Sequence, residues 1–250
     1  MKALITGATS GIGKSMAIYL SSLGWELILT GRNASALAEL KSTLQTNVYT
    51  VTADLSKRDD VFKVYEFSKK HSVDMLVNNA GYGIFGRFDE TDLEDEINMI
   101  NVNITALNIL TKLFLRDFKK RNRGTILNVA SSAGFMTGPL LSTYYASKNY
   151  ALRLSLAIAE ELRRSRSKVS ISVLCPGPVD TNFNNRAGVV FSFKPASADF
   201  VAKYAIDKAL AGKHIIIPTF KMKAAIAAMK FIPLGIAAAM TYNVQKKKLK

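Results

Sequence analysis

Ala3-Leu4-Ile5-Thr6 runs directly into Gly7-Ala8-Thr9-Ser10-Gly11-Ile12-Gly13, and a helical pattern begins at Ile12. A short apolar run, three glycines spaced G-x-x-x-G-x-G and a following helix make a strand–turn–helix unit. Glycine permits the tight turn and lets the backbone approach a pyrophosphate at the positive end of the helix. The spacing differs from the G-x-G-x-x-G of many dinucleotide folds. A second pattern overlaps it: Gly13-Lys14-Ser15 ends like a triphosphate-binding P-loop, although Ala8 stands where that motif has its first glycine. A nucleoside triphosphatase also needs an acid at a strand end to hold magnesium. The best candidate strand, Asp74-Met75-Leu76-Val77, ends in Asn78-Asn79 instead. The dinucleotide is favoured, with a triphosphate loop or a plain structural turn as the alternatives.

Outward from this turn, short apolar runs alternate with longer helical patterns. Strands are expected at Ala3–Thr6, Glu26–Thr30, Val48–Thr52, Val73–Val77, Thr125–Ala130, Val169–Leu174 and His214–Ile217. Several are continuous apolar runs, as in strands covered on both faces. Helices are expected near 12–22, 34–44, 58–70, 92–121, 143–165 and 198–211. This alternation predicts an α/β fold: a Rossmann-like, doubly wound parallel sheet of about seven strands with helices on both faces. No linker, repeat or low-complexity stretch interrupts residues 1–220, which read as one domain. Residues 221–250 read as a basic, amphipathic helical extension.

At 250 residues, with 48% hydrophobic and 21% charged, the composition is that of a globular chain and excludes a disordered or coiled-coil protein. The single cysteine, Cys175, excludes a disulfide framework and reads as a buried small residue at a strand end. Two histidines, His71 and His214, leave no metal cluster, and no metal is expected. The opening MKALITGATSG has no long apolar core behind a basic start, so no secretory leader is expected and the chain suits a reducing cytoplasm. Net charge is +15, of which +7 belongs to residues 221–250, where seven lysines face no acid. Basic residues interleaved with stacking aromatics, or a reading helix, are not found, so nucleic acid is not an expected partner.

The second strand ends Leu29-Thr30-Gly31-Arg32-Asn33. An NAD site usually has an acid here for the ribose 2′-hydroxyl; Arg32 could instead pair with a 2′-phosphate. NADP(H) is therefore preferred, with NAD(H) as the alternative. Beyond it come Asn78-Asn79-Ala80-Gly81, Asn103, Ser131, Tyr144-x-x-x-Lys148 and Pro176-Gly177-Pro178-Val179-Asp180-Thr181. Together with the glycine turn, this ordered set resembles the short-chain dehydrogenase/reductase superfamily over roughly residues 1–217. Two doublets and a near-doublet need a choice of register. Tyr144, not Tyr145, lies four residues before Lys148, which puts phenol and ammonium on one helical face; Tyr145 points about 100° away. Ser131, not Ser132, meets the family spacing, 13 residues before Tyr144 and three before Gly134. Asn103, not Asn101, follows Val102 and precedes Ile104-Thr105-Ala106 as the family pattern has it, with alanine where glycine is more usual.

The resemblance implies a hydride transfer between a nicotinamide cofactor and a carbonyl/alcohol pair. Tyr144 is the implied general acid/base, because a neighbouring ammonium and a positive nicotinamide ring lower a phenol pKa that is ordinarily about 10. Ser131 would hold the reacting oxygen, Lys148 the ribose hydroxyls and Asn103 a water that relays protons. The implied cofactor contacts are Gly7, Ser10, Gly11, Ile12, Gly13, Arg32, Asp54, Leu55, Asn79, Ala80, Gly81, Tyr144, Lys148, Pro176, Gly177, Val179 and Thr181. An aspartate helix cap is the other reading of Asp54. From another class, a non-catalytic NADPH-binding sensor or scaffold remains the alternative, although it would have no use for the proton-relay set.

The segment Asn182 to Pro195 carries Phe183, Val189, Val190, Phe191 and Phe193, and the resemblance makes it the cover of an apolar substrate. In the extension, Met222, Ala225, Ile226, Met229 and Ile232 share one helical face, Pro233 breaks the helix, and Ile236, Met240 and Val244 lead into Lys246-Lys247-Lys248-Leu249-Lys250. Three placements stay open for it: on an anionic membrane surface (the inner one), over the active site, or against another subunit. The family's usual pairing through the helices near 92–121 and 143–165 implies a homodimer.

Overall fold

A computed structural model describes residues 1–181, 195–229 and 231–246. Its main sheet has seven parallel strands in the order β3-β2-β1-β4-β5-β6-β9. These are β1 (Lys2–Thr6), β2 (Glu26–Gly31), β3 (Val48–Thr52), β4 (Met75–Asn78), β5 (Gly124–Val129), β6 (Val169–Leu174) and β9 (Ile215–Ile216). The crossovers are α1 (Gly11–Ser22), α2 (Ala34–Thr43), α3 (Arg58–Lys69), α4 (Leu93–Ile100), α5 (Leu107–Lys120), α6 (Ser142–Arg164) and α7 (Ala198–Leu210). The expected α/β class and parallel, doubly wound sheet are what the structure has.

The apolar strand runs follow from two-sided burial. Side chains alternate across a strand, so Ala3, Ile5, Leu27, Leu29, Met75 and Val77 pack with α1 and α7 on one face. Leu4, Ile28, Leu76, Ile126 and Ile171 pack with α3, α5 and α6 on the other. Because β2 and β4 flank β1 on opposite sides, the chain reverses its winding direction there. That topological switch lies at the carboxyl ends of the strands, where Gly7 and Asn79 stand, and such points form ligand crevices in open parallel sheets.

A polar network steadies the strands behind this crevice. Asn78 and Asn128 are register partners on β4 and β5. Asn78 Nδ2 donates to Thr111 Oγ1 (3.0 Å) and to Asn128 Oδ1 (2.9 Å), and Asn128 Nδ2 donates to Ser155 Oγ (2.9 Å).

Several elements depart from the sequence expectations. The helix expected over 92–121 is interrupted by a π-helical turn, Asn101–Ala106, that separates α4 from α5. A π turn widens the helix by one residue, usually at functional positions, and no propensity marks it in the sequence. Ser132–Phe135 forms a 3-10 turn. A small parallel pair, β7 (Val179–Asp180) with β8 (Ala196–Ser197), joins the two sides of the segment 182–194. That segment, with Phe183, Val189, Val190, Phe191 and Phe193, lies outside the described residues, as do Lys230 and the basic run 247–250. The extension forms two helices, α8 (Phe220–Met229) and α9 (Leu234–Lys246); α8 ends at Met229, ahead of Pro233, and Ile232 lies outside the helix on which the sequence pattern placed it. On α9, however, Ile236, Met240 and Val244 face outward, while Ala237, Thr241 and Gln245 are buried. Among the described residues no helix is long and apolar enough to cross a membrane.

Candidate active site

The glycine turn is tied to the β4 exit by a set of short polar bonds. Thr6 Oγ1 accepts from the backbone N–H groups of Asn79 and Ala80, both at 3.0 Å. Asn79 Nδ2 donates to the carbonyls of Thr6 (3.0 Å) and Gly7 (3.1 Å). The glycines are demanded by space as well as by conformation. Gly7 has φ +63°, and a Cβ there would stand 2.9 Å from Ala80 Cα. A Cβ on Gly13 would stand 2.4 Å from both Asn79 Nδ2 and the Gly7 carbonyl oxygen. The Ser10 side chain precedes α1 without capping it, and the first turn of α1 holds no acid, so neither competes with an anion at the helix start. This cradle fits the pyrophosphate of a dinucleotide. It does not fit a P-loop: Ser15, which that motif turns toward magnesium, donates its hydroxyl to Asp199 Oδ1 of α7 at 2.7 Å.

Ile12 packs partly buried against the core below the turn. Arg32 is exposed at the tip of β2, and its charge is felt by Asp54. Asp54 Oδ1 accepts from both the N–H (3.1 Å) and the hydroxyl (2.9 Å) of Ser56, a local turn rather than a helix cap. Burial disfavours the Asp54 carboxylate, but the Ser56 bonds with Arg32 and Lys57 outweigh it and hold the pKa below its ordinary value. Leu55 is buried in the core beside it. From the far side, Pro176 accepts a bond from Ser132 N–H (2.8 Å). Val179 is buried, and a Cβ on Gly11 would meet Thr181 Cγ2 at 3.0 Å. The segment after β6 thus returns to the start of α1.

Ser131, Tyr144 and Lys148 converge beside this crevice. Tyr144 is half-buried by area, yet its phenol is desolvated, and that pushes its pKa up to about 12, against a hydrogen bond with Ser131 that favours the phenolate. Lys148 is 6% exposed and donates from Nζ to the Val129 carbonyl at 3.0 Å; Nζ lies 5.8 Å from the Tyr144 ring centroid. Burial lowers the Lys148 pKa to about 8, which still leaves an ammonium at neutrality. A Cβ on Gly81 would approach both Asn103 Oδ1 (2.9 Å) and Lys148 Nζ (3.1 Å), so backbone without a side chain is needed where these groups meet. Asn103 sits in the π turn, 2% exposed. It donates to the Tyr82 carbonyl (2.8 Å) and Ser147 Oγ (3.0 Å) and accepts from Tyr82 N–H (3.1 Å).

Three supporting contacts escaped the sequence reading. Asn149 Nδ2 donates to the carbonyls of Ala133, Met136 and Tyr145, which pins the loop carrying Ser131 to α6. Tyr145 turns away from Lys148, packs on Gly138 and accepts from Gln245 Nε2 of α9 at 2.8 Å. Met222 of α8 fills the space a Gly177 side chain would need, 2.5 Å from its Cβ position. Only the Y-x-x-x-K helix spacing and the Gly-Pro turn hinted at these places; the tail contacts, Gly177 with Met222 and Tyr145 with Gln245, span 45 and 100 residues and leave no local signal.

The family model described as short chain dehydrogenase matches residues 1–188, the stretch that contains the whole constellation. The chain belongs to the short-chain dehydrogenase/reductase superfamily. As such it is an NAD(P)-dependent oxidoreductase acting on CH–OH and C=O groups. An uncharacterized short-chain type dehydrogenase/reductase of Sinorhizobium fredii is 38% identical over 187 residues, 74% of this chain and 72% of that protein. A very-long-chain 3-oxoacyl-CoA reductase of Laccaria bicolor is 34% identical over 175 residues, 67% of this chain and 52% of that protein. The solved short-chain dehydrogenase of Sphingobium yanoikuyae in complex with NADPH is 27% identical, with a TM-score of 0.82 over 93% of this chain and 96% of that one.

In this dehydrogenase the buried Lys148 has a stability consequence. Its pKa is about 8 folded and 10.5 as an ordinary lysine. Below pH 8 both folded and unfolded chains carry the charge, and the full desolvation cost opposes folding. Between those values the folded chain releases the proton first, so that cost fades as pH rises. Lys148→Met should therefore unfold at higher temperature than the parent at pH 7, by about 1–2 kcal/mol after the lost Val129 bond is deducted. The gap should close toward pH 10.5, as paired thermal melts across pH would show.

Proposed function

We propose that the protein is an NADP(H)-dependent reductase of apolar carbonyl compounds, with Tyr144 as general acid/base. The observation that carries this reading is the meeting of Ser131, Tyr144 and Lys148 beside a glycine cradle at the switch point of the sheet. In the reducing direction Tyr144 Oη donates its proton to the substrate oxygen while Ser131 Oγ holds that oxygen as charge develops on it. Lys148 supplies the positive charge that a phenol desolvated to about 12 needs before it can exchange protons near neutrality. Asn103, fixed by Tyr82 and Ser147, orients the backbone around Gly81 and relays the proton outward through water. A bound nicotinamide supplies or accepts the hydride, held by the residues of the cradle, by the Lys148 ammonium and by the 176–181 segment.

Arg32 supports NADP(H), since it is exposed just after β2, at the strand end where an NAD site usually has its acid and this sequence has none. Solved neighbours carry NADPH, NAD or NADH, so the preference rests on Arg32 alone. An apolar substrate is supported by the packing of Phe85, Tyr144 and Tyr145 against buried Leu141, and by the acyl substrate in the name of the Laccaria relative. A homodimer is supported by the exposed stripe Leu93, Ile97 and Ile100 on α4, a helix that packs against α6. A cytoplasmic location remains part of this reading.

Calorimetric titration tests the cofactor. NADPH should bind at least about tenfold tighter than NADH, and Arg32→Ser should weaken NADPH about 10- to 100-fold with NADH unchanged. Equal binding of the two cofactors, or an Arg32→Ser variant that still prefers NADPH, would remove the preference.

A further inference from the structure

Exposed apolar surface and unbalanced positive charge coincide at the two-helix extension. Phe231, in the bend between α8 and α9, is 89% exposed and Leu234, the first residue of α9, 78%, and Ile236, Met240 and Val244 continue the apolar surface as an i, i+4, i+8 stripe along α9. The opposite arrangement would be expected of a helix that merely completes a core. Here the small and polar stripe, Ala237, Thr241 and Gln245, is turned inward, and the large apolar side chains are turned outward. The inward side is held: Gln245 bonds Tyr145, Ile226 is buried, and Met222 lies on Gly177. The tail is therefore docked with its apolar face displayed. The sequence of the extension carries seven lysines and no acid; of those described, Lys221, Lys223 and Lys246 are exposed, with Lys223 Nζ reaching Tyr204 Oη at 3.3 Å.

We propose that the outward face of α8 and α9, with the bend between them, is a peripheral docking surface for an anionic lipid bilayer. The bend would bring Phe231 and Leu234 below the headgroups, the α9 stripe would lie at the boundary, and the lysines would meet the lipid charge. A second copy of this chain is the other occupant to consider. A twofold contact through the same face sets two acid-free, lysine-bearing tails against each other, which like-charge repulsion opposes. An anionic bilayer satisfies both halves of the surface at once, and the charge pattern selects it. This inference stands on the tail alone and does not depend on the substrate or cofactor.

The test is cosedimentation of the full chain with vesicles of phosphatidylcholine, alone or with about 30% phosphatidylglycerol. Partition should be at least about tenfold stronger on the anionic vesicles and should fall as salt rises from about 0.05 to 0.5 M. The combined variant Ile236→Glu, Met240→Glu and Val244→Glu should lose about tenfold or more of that binding, with its melting temperature and NADPH affinity unchanged. Phe231→Ser, in the bend rather than in a helix, gives an independent loss should the triple variant fold poorly. A chain that stays in the supernatant, equal binding to neutral vesicles, or variants that bind like the parent would each overturn the proposal. So would a triple variant that changes only the mass in sedimentation equilibrium, which would give the face to a second copy.

Discussion

Tyr144→Phe should lower turnover about 10³-fold while NADPH affinity stays within about twofold. The substitution removes one oxygen and keeps the ring, which packs beside Leu141 and meets the Tyr145 ring edge-on at 6.1 Å. Stability should therefore change by about 1 kcal/mol or less, since a single hydrogen bond, to Ser131, is lost. The effect on rate is large because nothing else described nearby can do the work. Lys148 Nζ points to the Val129 carbonyl, and the Cys175 thiol is buried with its pKa pushed up to about 12. Tyr145 lies on another face of α6 and is engaged by Gln245. Steady-state rates with NADPH and a carbonyl substrate, beside calorimetric titration, measure both quantities. A variant retaining more than about a tenth of the parent turnover would show that a different group, or water, carries the proton.

The parallel sheet was legible because its physics is local: a strand covered on both faces must be apolar throughout, and Ala3–Ile5, Leu27–Leu29 and Met75–Val77 are. The positions of Tyr144 and Lys148 on one helix were legible for a similar reason, since i, i+4 spacing is a property of the helix itself. The π turn at Asn101–Ala106 was not. Its cause is tertiary, because Asn103 is held from outside its own helix by Tyr82 and Ser147. The orientation of α9 was hidden for the opposite reason. Amphipathic pattern correctly marks an apolar stripe at Ile236, Met240 and Val244, but pattern cannot say whether the stripe meets the protein or leaves it. Ala237 and Thr241 are buried against the body, and Gln245 bonds the Tyr145 phenol 100 residues away. The local rule fails where the surface carries the unexplained charge.

Gly13→Val should weaken NADPH binding by more than about 100-fold and lower the melting temperature as well. The added Cβ would stand 2.4 Å from Asn79 Nδ2 and from the Gly7 carbonyl, two groups bonded to each other because Asn79 Nδ2 donates to that carbonyl as well as to that of Thr6. Either Asn79 leaves its two carbonyl partners or the turn opens, and both outcomes displace the N–H groups aimed at the pyrophosphate. Gly13→Ala meets the same first carbon and should show most of the loss. Gly24→Ala is the matched control. Gly24 has φ +79°, so alanine is strained there, but nothing lies within 4 Å of the new carbon. It should cost about 1 kcal/mol in stability and nothing in NADPH affinity. Thermal melts and calorimetry on the three variants separate the two contributions. If folded Gly13→Val bound NADPH as the parent does, the cradle at Gly7–Gly13 would be structural only, and the cofactor would have to sit elsewhere on the sheet.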